Sequence, residues 1–119
     1  MRGNRSDGLA TRRRLLEAAG TVFAAKGFHD AKTADICRLA KANVAAVNYY
    51  FGSKEALYVE AWRHAFECSI EAHPPDGGVS PAARAEDRLR GQIVALMHRV
   101  MDPTSLDFDI ARREMANPT

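Results

Sequence analysis

The start and stop signals in the middle of the sequence leave room only for two short helices separated by a tight break. Thr33 is a suitable N-cap for a helix over residues 34–40, and Asn43 is a suitable N-cap for a helix over residues 44–51. The break between them is only Lys41-Ala42. Two short helices at this spacing, preceded by a longer one, are typical of a helix-turn-helix.

Longer helices flank this pair. Leu15, Ala19, Val22 and Phe23 share one face of a helix over about residues 9–26, and Gly27 follows as a stop signal. Residues 1–7 are polar, carry Arg2 and Arg5, and are predicted to form a flexible arm. After Gly52, three further helices are predicted. The first is capped by Ser53 and runs to about Ala72, and the last covers about Ser105 to Ala116. The helix between them starts at Ser80-Pro81 and has an apolar face of Leu89, Ile93, Leu96, Met97 and Val100.

No segment alternates apolar and polar residues as a strand would, so the predicted fold is all-α. The sequence predicts a three-helix helix-turn-helix domain followed by the first helices of a helical regulatory domain. The first unit is residues 1–53, which include the arm. The second, residues 54–119, is a linking helix with a partial effector or dimerisation domain.

The net charge changes sign close to the boundary between these two units. Residues 1–54 hold ten Lys and Arg against four Asp and Glu, whereas residues 55–119 hold seven against eleven. The balances of +6 and −4 are hidden in a net charge of +2. The basic half is either a polyanion-binding surface or an unevenly charged solvated surface, and charge alone does not separate the two.

The second short helix has the composition that close approach to DNA requires. Val47 is predicted to face the core, while Ala45 and Ala46 are small enough to let the backbone approach the major groove and touch a thymine methyl group. Asn48 offers hydrogen bonds to a base or a phosphate. Tyr49, Tyr50 and Lys54 follow as candidate phosphate ligands, although aromatic clusters as a whole are more often core.

Several separated motifs, in order, resemble the TetR family of transcriptional regulators. They lie within about residues 9–60 and comprise Arg14 to Ala19, Phe23 to Phe28, Thr33 to Ile36, Asn43 to Lys54 and Glu55 to Tyr58. The Tyr-x-Phe-Gly-Ser-Lys region, with Arg113-Glu114-Met115 and Pro118-Thr119, resembles more loosely a CerR-like branch of that family.

The resemblance implies a homodimer that binds a palindromic double-stranded DNA operator, usually as a repressor that a small-molecule effector releases. It implies phosphate contacts from Thr33, Tyr49, Tyr50 and Lys54, and positions at or near the bases for Asn43, Ala45, Ala46 and Asn48. The predicted DNA-contact set is Thr33, Lys41, Asn43, Val44, Ala45, Ala46, Asn48, Tyr49, Tyr50 and Lys54.

The chain departs from the family pattern in two ways. Lys41 stands in the turn where the family usually has glycine, and a left-handed backbone there would cost about 1 kcal/mol. Residues 55–119 supply only three helices, whereas the family's regulatory domain is much longer. We therefore expect a fragment or truncated product, with an unusually small regulator as the alternative. Homodimerisation is expected to depend on the full C-terminal domain.

The helices after Gly52 carry candidate residues for an effector site. Trp62, Phe66, Leu96, Met97 and Met101 are candidates to line an effector pocket, but apolar residues at helical spacing are more often plain core. The Arg12-Arg13-Arg14 triplet is predicted either to add DNA contacts or to be a solvated helix face.

Other classes of function find little support in the sequence. No nucleophile elbow, glycine-rich phosphate loop or His-Glu-x-x-His run is present, so no enzyme activity is expected. The four histidines lack ligand spacing, and neither a metal nor a cofactor is expected. Cys37 and Cys68 are expected to be buried as small apolar residues, with a redox pair left open. A cytoplasmic protein without membrane contact is expected, and the alternative function is a helical interaction module without DNA binding.

Overall fold

The computed structural model describes the backbone from Arg5 to Thr119 and the side chains from Gly8 onward. Within this range the fold is all-helical and contains no strand, as predicted. The helices are α1 (Arg5–Asp30), α2 (Thr33–Ala40), α3 (Val44–Tyr50), α4 (Lys54–Ala72), α5 (Ala85–Met101) and α6 (Asp107–Ala116).

The first helix starts earlier than the sequence predicts, and it is interrupted at Gly27, where the sequence predicts a stop. Arg5 already belongs to α1, so the predicted flexible arm is wrong from that residue on, while Arg2 lies outside the described residues. The backbone leaves helical geometry at Gly27, with φ 82° and ψ 171°, which confirms the stop signal. Because glycine tolerates this positive φ, the chain can turn there and place Phe28 against the rings of Phe23 and Tyr58, at centroid distances of 6.1 and 5.0 Å.

Two of the predicted helix starts are confirmed and two are wrong. Asn43 and Ser53 cap α3 and α4. Thr33 is instead the first helical residue of α2, because the extended residue at the cap position is Lys32, which makes no side-chain capping bond. The fifth helix begins at Ala85 rather than after Ser80, whose hydroxyl accepts a hydrogen bond within a turn.

The core lies where α1, α2, α3 and α4 meet. Leu15, Ala19 and Phe23 present the predicted apolar face of α1 and are fully buried. Residues from the other three helices close over them, namely Ile36, Cys37 and Ala40 of α2, Val47 of α3, and Leu57, Tyr58 and Ala61 of α4. The two short helices are therefore mounted on α1 and α4 rather than stable on their own.

The last helix returns to the first half of the chain. Ile110 of α6 is fully buried in the same core. The Tyr58 hydroxyl donates a 2.6 Å hydrogen bond to Glu114, and the Arg113 Nε donates to the Ala24 carbonyl at 3.4 Å. Burial and the Glu114 carboxylate raise the pKa of Tyr58 to about 12. These contacts join α6 to both α1 and α4.

The predicted apolar face of α5 is present but uncovered. Ala95 is the buried residue of this helix. The predicted face is exposed over about half of each side chain, namely at Leu89, Ile93, Leu96, Met97 and Val100. The sequence thus predicts that α5 is amphipathic, but it does not predict that the apolar face of this helix is exposed to solvent.

The cysteines are both free. Cys37 is buried as predicted, and burial raises the pKa of its thiol. Cys68 is exposed on α4, so the prediction that it is a buried apolar residue is wrong.

Candidate nucleic-acid interface

The α3 helix is anchored from one side and open on the other. Val47 is 2% exposed and packs into the core. Val44, Ala45 and Asn48 are exposed, so the side of α3 away from the core presents one amide between small apolar groups. A surface of this kind can approach the floor of a major groove and offers a hydrogen-bonding group there.

The start of α3 is fixed by a local hydrogen bond. Asn43 has an extended backbone, with φ −96° and ψ 166°, and its Oδ1 accepts from the Ala46 N–H at 3.1 Å. This capping bond satisfies one of the backbone donors that a helix start leaves without partners. The Asn43 side chain therefore has a structural role at the predicted interface.

The two adjacent tyrosines have different surroundings. Tyr49 is 81% exposed, and its ring meets that of Tyr50 edge to face at a centroid distance of 4.8 Å. Tyr50 is half-buried, packs against the core, and has its hydroxyl beside Gly8 of α1. Tyr49 is thus the tyrosine that projects into solvent, while Tyr50 connects α3 to the start of α1.

The turn between α2 and α3 takes the left-handed conformation that the sequence makes costly. Lys41 has φ 57° and ψ 47°, and its N–H donates to the Arg38 carbonyl at 3.2 Å. The next N–H, of Ala42, donates to the Cys37 carbonyl at 3.0 Å. These two bonds close the C-terminal end of α2 and leave the Lys41 side chain exposed beside α3.

The two remaining predicted phosphate ligands lie at the starts of α2 and α4. Thr33 is half-buried as the first residue of α2. Ser53 Oγ accepts from the Ala56 N–H at 3.0 Å and so orders the start of α4. The Lys54 ammonium there lies 4.4 Å from the centroid of the Phe28 ring. Its cation is held by an aromatic face rather than by a carboxylate.

Two arginines of the triplet in α1 contact residues at the end of α2 and after α3, and the sequence does not predict these contacts. The Arg14 Nε donates to the Ala40 carbonyl at 3.0 Å, and the Arg12 guanidinium lies 4.9 Å from the Phe51 ring centroid. Arg13 instead forms an exposed ion pair with Glu17 at 3.7 Å. Contacts between residues this far apart in the chain carry no local sequence signal.

The five candidate effector residues do not gather around one cavity. Trp62 packs against the Tyr58 ring at 5.8 Å, and Phe66 lies 5.3 Å from the Arg99 guanidinium. A cavity of about 440 Å³ lies beside α4 and α5, and Leu96 is the only one of the five that lines it. Met101 lines a separate depression of about 370 Å³, and Met97 is exposed.

The cavity beside α4 and α5 also contains polar groups that are not among the five candidates. Its lining includes Arg99, His73 and Gln92. His73 contacts Asp102 at 2.8 Å, and this hydrogen bond holds the pKa of Asp102 at about 2. Arg99 lies 3.9 Å from the buried Asp107 carboxylate, a distance too long for a hydrogen bond. The carboxylates nearest to His73 and Arg99 therefore belong to residues that do not line the cavity.

Metal sites and membrane-spanning helices have structural requirements that the described part of the chain does not meet. Among residues with described side chains, no group of three or more His, Cys, Asp and Glu side chains is arranged to hold a metal ion. None of the helices between Arg5 and Thr119 combines the length and apolar character that crossing a membrane requires.

A helix pair joined by a tight turn, mounted on a longer helix, with one side open and polar, defines a helix-turn-helix DNA-binding domain. Residues 15–61 match the family model described as bacterial regulatory proteins, tetR family. Over these residues the chain is similar to members of that family.

Two curated relatives each match slightly less than half of the chain. An uncharacterized HTH-type transcriptional regulator, YdgC of Bacillus subtilis, is 43% identical over 56 residues, which are 47% of this chain and 29% of YdgC. The HTH-type transcriptional repressor NicS of Pseudomonas putida is 41% identical over 56 residues, which are 47% of this chain and 26% of NicS. The match thus spans less than a third of either relative.

A solved structure extends the likeness in fold over nearly the whole chain. A TetR-like transcriptional regulator from Rhodococcus sp. RHA1 superposes with a TM-score of 0.74 at 23% identity. The superposition covers 97% of this chain and 60% of the Rhodococcus chain. The helices after α3 therefore follow the same architecture, although the identity is too low to carry function.

Proposed function

We propose that this protein is a sequence-specific DNA-binding regulator that acts as a repressor on a palindromic operator. The observation that carries the proposal is the asymmetry of α3. Val47 is buried at 2% exposure, whereas Tyr49 is 81% exposed and lies next to the exposed Asn48. A buried anchor with a polar, open opposite side is what a recognition helix needs in order to enter the major groove.

Base recognition falls to the exposed side of α3. Asn48 donates and accepts hydrogen bonds at a base edge, and Ala45 contacts a thymine methyl group. Asn43, Val44 and Ala46 lie beside them at the start of the helix. With few hydrogen-bonding groups on this side, sequence-dependent DNA shape contributes to specificity.

Phosphate contacts position the domain on both sides of the groove. They come from the turn, from the exit of α3 and from the starts of the neighbouring helices, namely Lys41, Tyr49, Tyr50, Thr33 and Lys54. The half-buried position of Tyr50 limits its contact to the hydroxyl, while exposed Tyr49 and Lys41 are free to adjust to the backbone. Contacts of this kind make binding strongly salt-dependent.

Regulation is assigned to residues 54–119, and recognition to residues 1–53. A small molecule that binds among the later helices shifts the spacing of two recognition helices in a homodimer and releases the operator. The contacts of α6 with α1 and α4, at Arg113 and Glu114, supply a mechanical path between the two units. That the relative NicS is named a repressor supports repression rather than activation. Because the target is DNA, the site of action is the cytoplasm.

The test is selection of duplexes from a randomised pool, followed by affinity measurements at several salt concentrations. We expect an enriched motif and a linear fall of log affinity with log salt. Tyr49→Ala should weaken binding about tenfold. Met115→Ala, a similarly exposed side chain on α6 at 78% against 81%, should leave binding unchanged. A folded chain that binds no duplex at low salt would contradict the proposal and favour a helical interaction module.

A further inference from the structure

Two arginines of α1 contact the two ends of the segment that contains the turn and α3. The Arg14 Nε donates a 3.0 Å hydrogen bond to the carbonyl of Ala40, the last residue of α2. The Arg12 guanidinium lies 4.9 Å from the ring of Phe51, the residue that follows α3. The segment between Ala40 and Phe51 contains eight of the ten predicted DNA-contacting residues, and one turn of α1 holds both ends of this segment.

The Arg14 contact closes the end of α2. The last four carbonyls of a helix have no partner within it, and they carry the negative end of the helix dipole. The Arg14 guanidinium donates a hydrogen bond to one of these carbonyls, that of Ala40, and it brings a positive charge to the negative end of the dipole. Because Lys41 follows directly in the left-handed conformation, this contact also fixes the point from which the turn departs.

The Arg12 contact fixes the other end of the segment. The Phe51 ring is half-buried against the core, and its N–H donates to the Val47 carbonyl at 2.9 Å. A cation over the ring adds an attraction that keeps this residue on α1. The recognition helix is therefore held at its start through Ala40 and at its end through Phe51.

We propose that Arg12 and Arg14 are positioning residues for base recognition: they set the orientation of α3 on α1 without touching DNA themselves. This inference rests on the proposed DNA-binding function. The intervening Arg13 pairs instead with Glu17 on α1. It is a matched control, with the same charge at the neighbouring position of the same helix.

The experiment compares Arg12→Ala, Arg14→Ala and Arg13→Ala, each of which removes one positive charge. Affinity is measured for the duplex selected by the wild-type chain and for a scrambled duplex of equal length, at several salt concentrations. We expect Arg12→Ala and Arg14→Ala to lower the ratio of the two affinities about tenfold, which is the discrimination carried by one misplaced base contact. Arg13→Ala should leave this ratio unchanged.

The salt dependence separates positioning from direct contact. A positioning role predicts that all three variants keep the same log–log salt slope. A slope that falls by about 0.9 only in Arg14→Ala would mean a phosphate contact and would overturn the proposal. So would a ratio that stays at the Arg13→Ala value.

A second measurement tests the Arg14 contact in the folded protein without DNA. Hydrogen exchange of the Ala42 amide, which donates to the Cys37 carbonyl, should accelerate in Arg14→Ala if the guanidinium fixes the turn. Unchanged exchange would count against the proposal. If Arg14→Ala does not fold, the ratio in Arg12→Ala decides. If the wild-type chain selects no motif, the proposed function fails first, and this result is distinct from a failure of the positioning role.

Discussion

Lys41 is the residue at which stability and DNA affinity are expected to change in opposite directions. It is exposed, and it holds φ 57° and ψ 47° in the turn before α3. A side chain in this left-handed region costs about 1 kcal/mol, which glycine avoids. Glycine in turn adds freedom to the unfolded chain, at a cost of about 0.5 kcal/mol. Lys41→Gly is therefore expected to raise the free energy of unfolding by about 0.5 kcal/mol.

A gain of this size is measurable. For a chain of 119 residues it corresponds to a rise in Tm of about 2 °C by thermal unfolding. The lost ammonium has the opposite effect on DNA: the log–log salt slope should fall by about 0.9 if Lys41 contacts one phosphate. The expected variant is thus more stable and binds DNA more weakly.

Lys41→Asn separates the two effects. Asparagine adopts the left-handed conformation more readily than lysine, and it removes the charge without the backbone freedom of glycine. It should show the same loss of slope as Lys41→Gly. Arg63→Gln, which removes an exposed cation of α4 outside the predicted contact set, should leave the slope unchanged. A Lys41→Gly variant with a lowered Tm would refute the strain argument, and an unchanged slope would refute the phosphate contact.

Three further variants test the local contacts. Asn43→Ala removes the cap of α3 and should lower the free energy of unfolding by about 1 kcal/mol, seen as a fall in Tm of about 4 °C. Tyr58→Phe removes the 2.6 Å hydrogen bond to Glu114 and should cost about 1.5 kcal/mol in urea unfolding. Asp102→Asn should lower Tm near neutral pH, because the His73 hydrogen bond holds the pKa of Asp102 at about 2, below its ordinary 3.8. The ionised group stabilises the fold above pH 3.8, so the difference from wild type should vanish as pH falls from 3.8 towards 2.

Each of these has a clear contrary result. An Asn43→Ala chain as stable as wild type would show that core burial of Val47 alone orders α3. Equal urea midpoints for Tyr58→Phe and wild type would mean that Thr119, which also donates to Glu114, satisfies that carboxylate without help. A Tm difference for Asp102→Asn that persists unchanged at pH 2 would assign the effect to packing rather than to charge.

The sequence predicts the parts of the fold that depend on local backbone chemistry. Asn43 and Ser53 are confirmed as caps because each accepts from an N–H three residues away, within one helical turn. Gly27 is confirmed as the break in α1 for a similar reason, since glycine, which has no Cβ, tolerates the positive φ observed there. Thr33 fails because Lys32 already has the extended backbone of a cap.

Contacts between distant residues explain what the sequence does not predict at the candidate site. The role of Arg14 depends on a carbonyl 26 residues away, and no periodicity of α1 encodes that distance. The apolar spacing of α5 predicts an amphipathic helix but not its exposure, because the sequence pattern does not say which element covers a face. The prediction of α5 at Ser80-Pro81 fails because a serine followed by proline is typical of a turn as well as of a helix start.

The return of α6 to α1 has a consequence during protein synthesis. The core residues from Leu15 to Leu57, which come from α1, α2, α3 and α4, are synthesised before α6. At about 5–20 residues per second, the chain between Lys54 and Asp107 takes about 3–10 s to synthesise. For those seconds Tyr58 has no Glu114 carboxylate to bond, and the site that Ile110 later fills is open to other apolar segments. The nascent recognition domain thus passes through a stage in which its core lacks the helix that supplies Ile110.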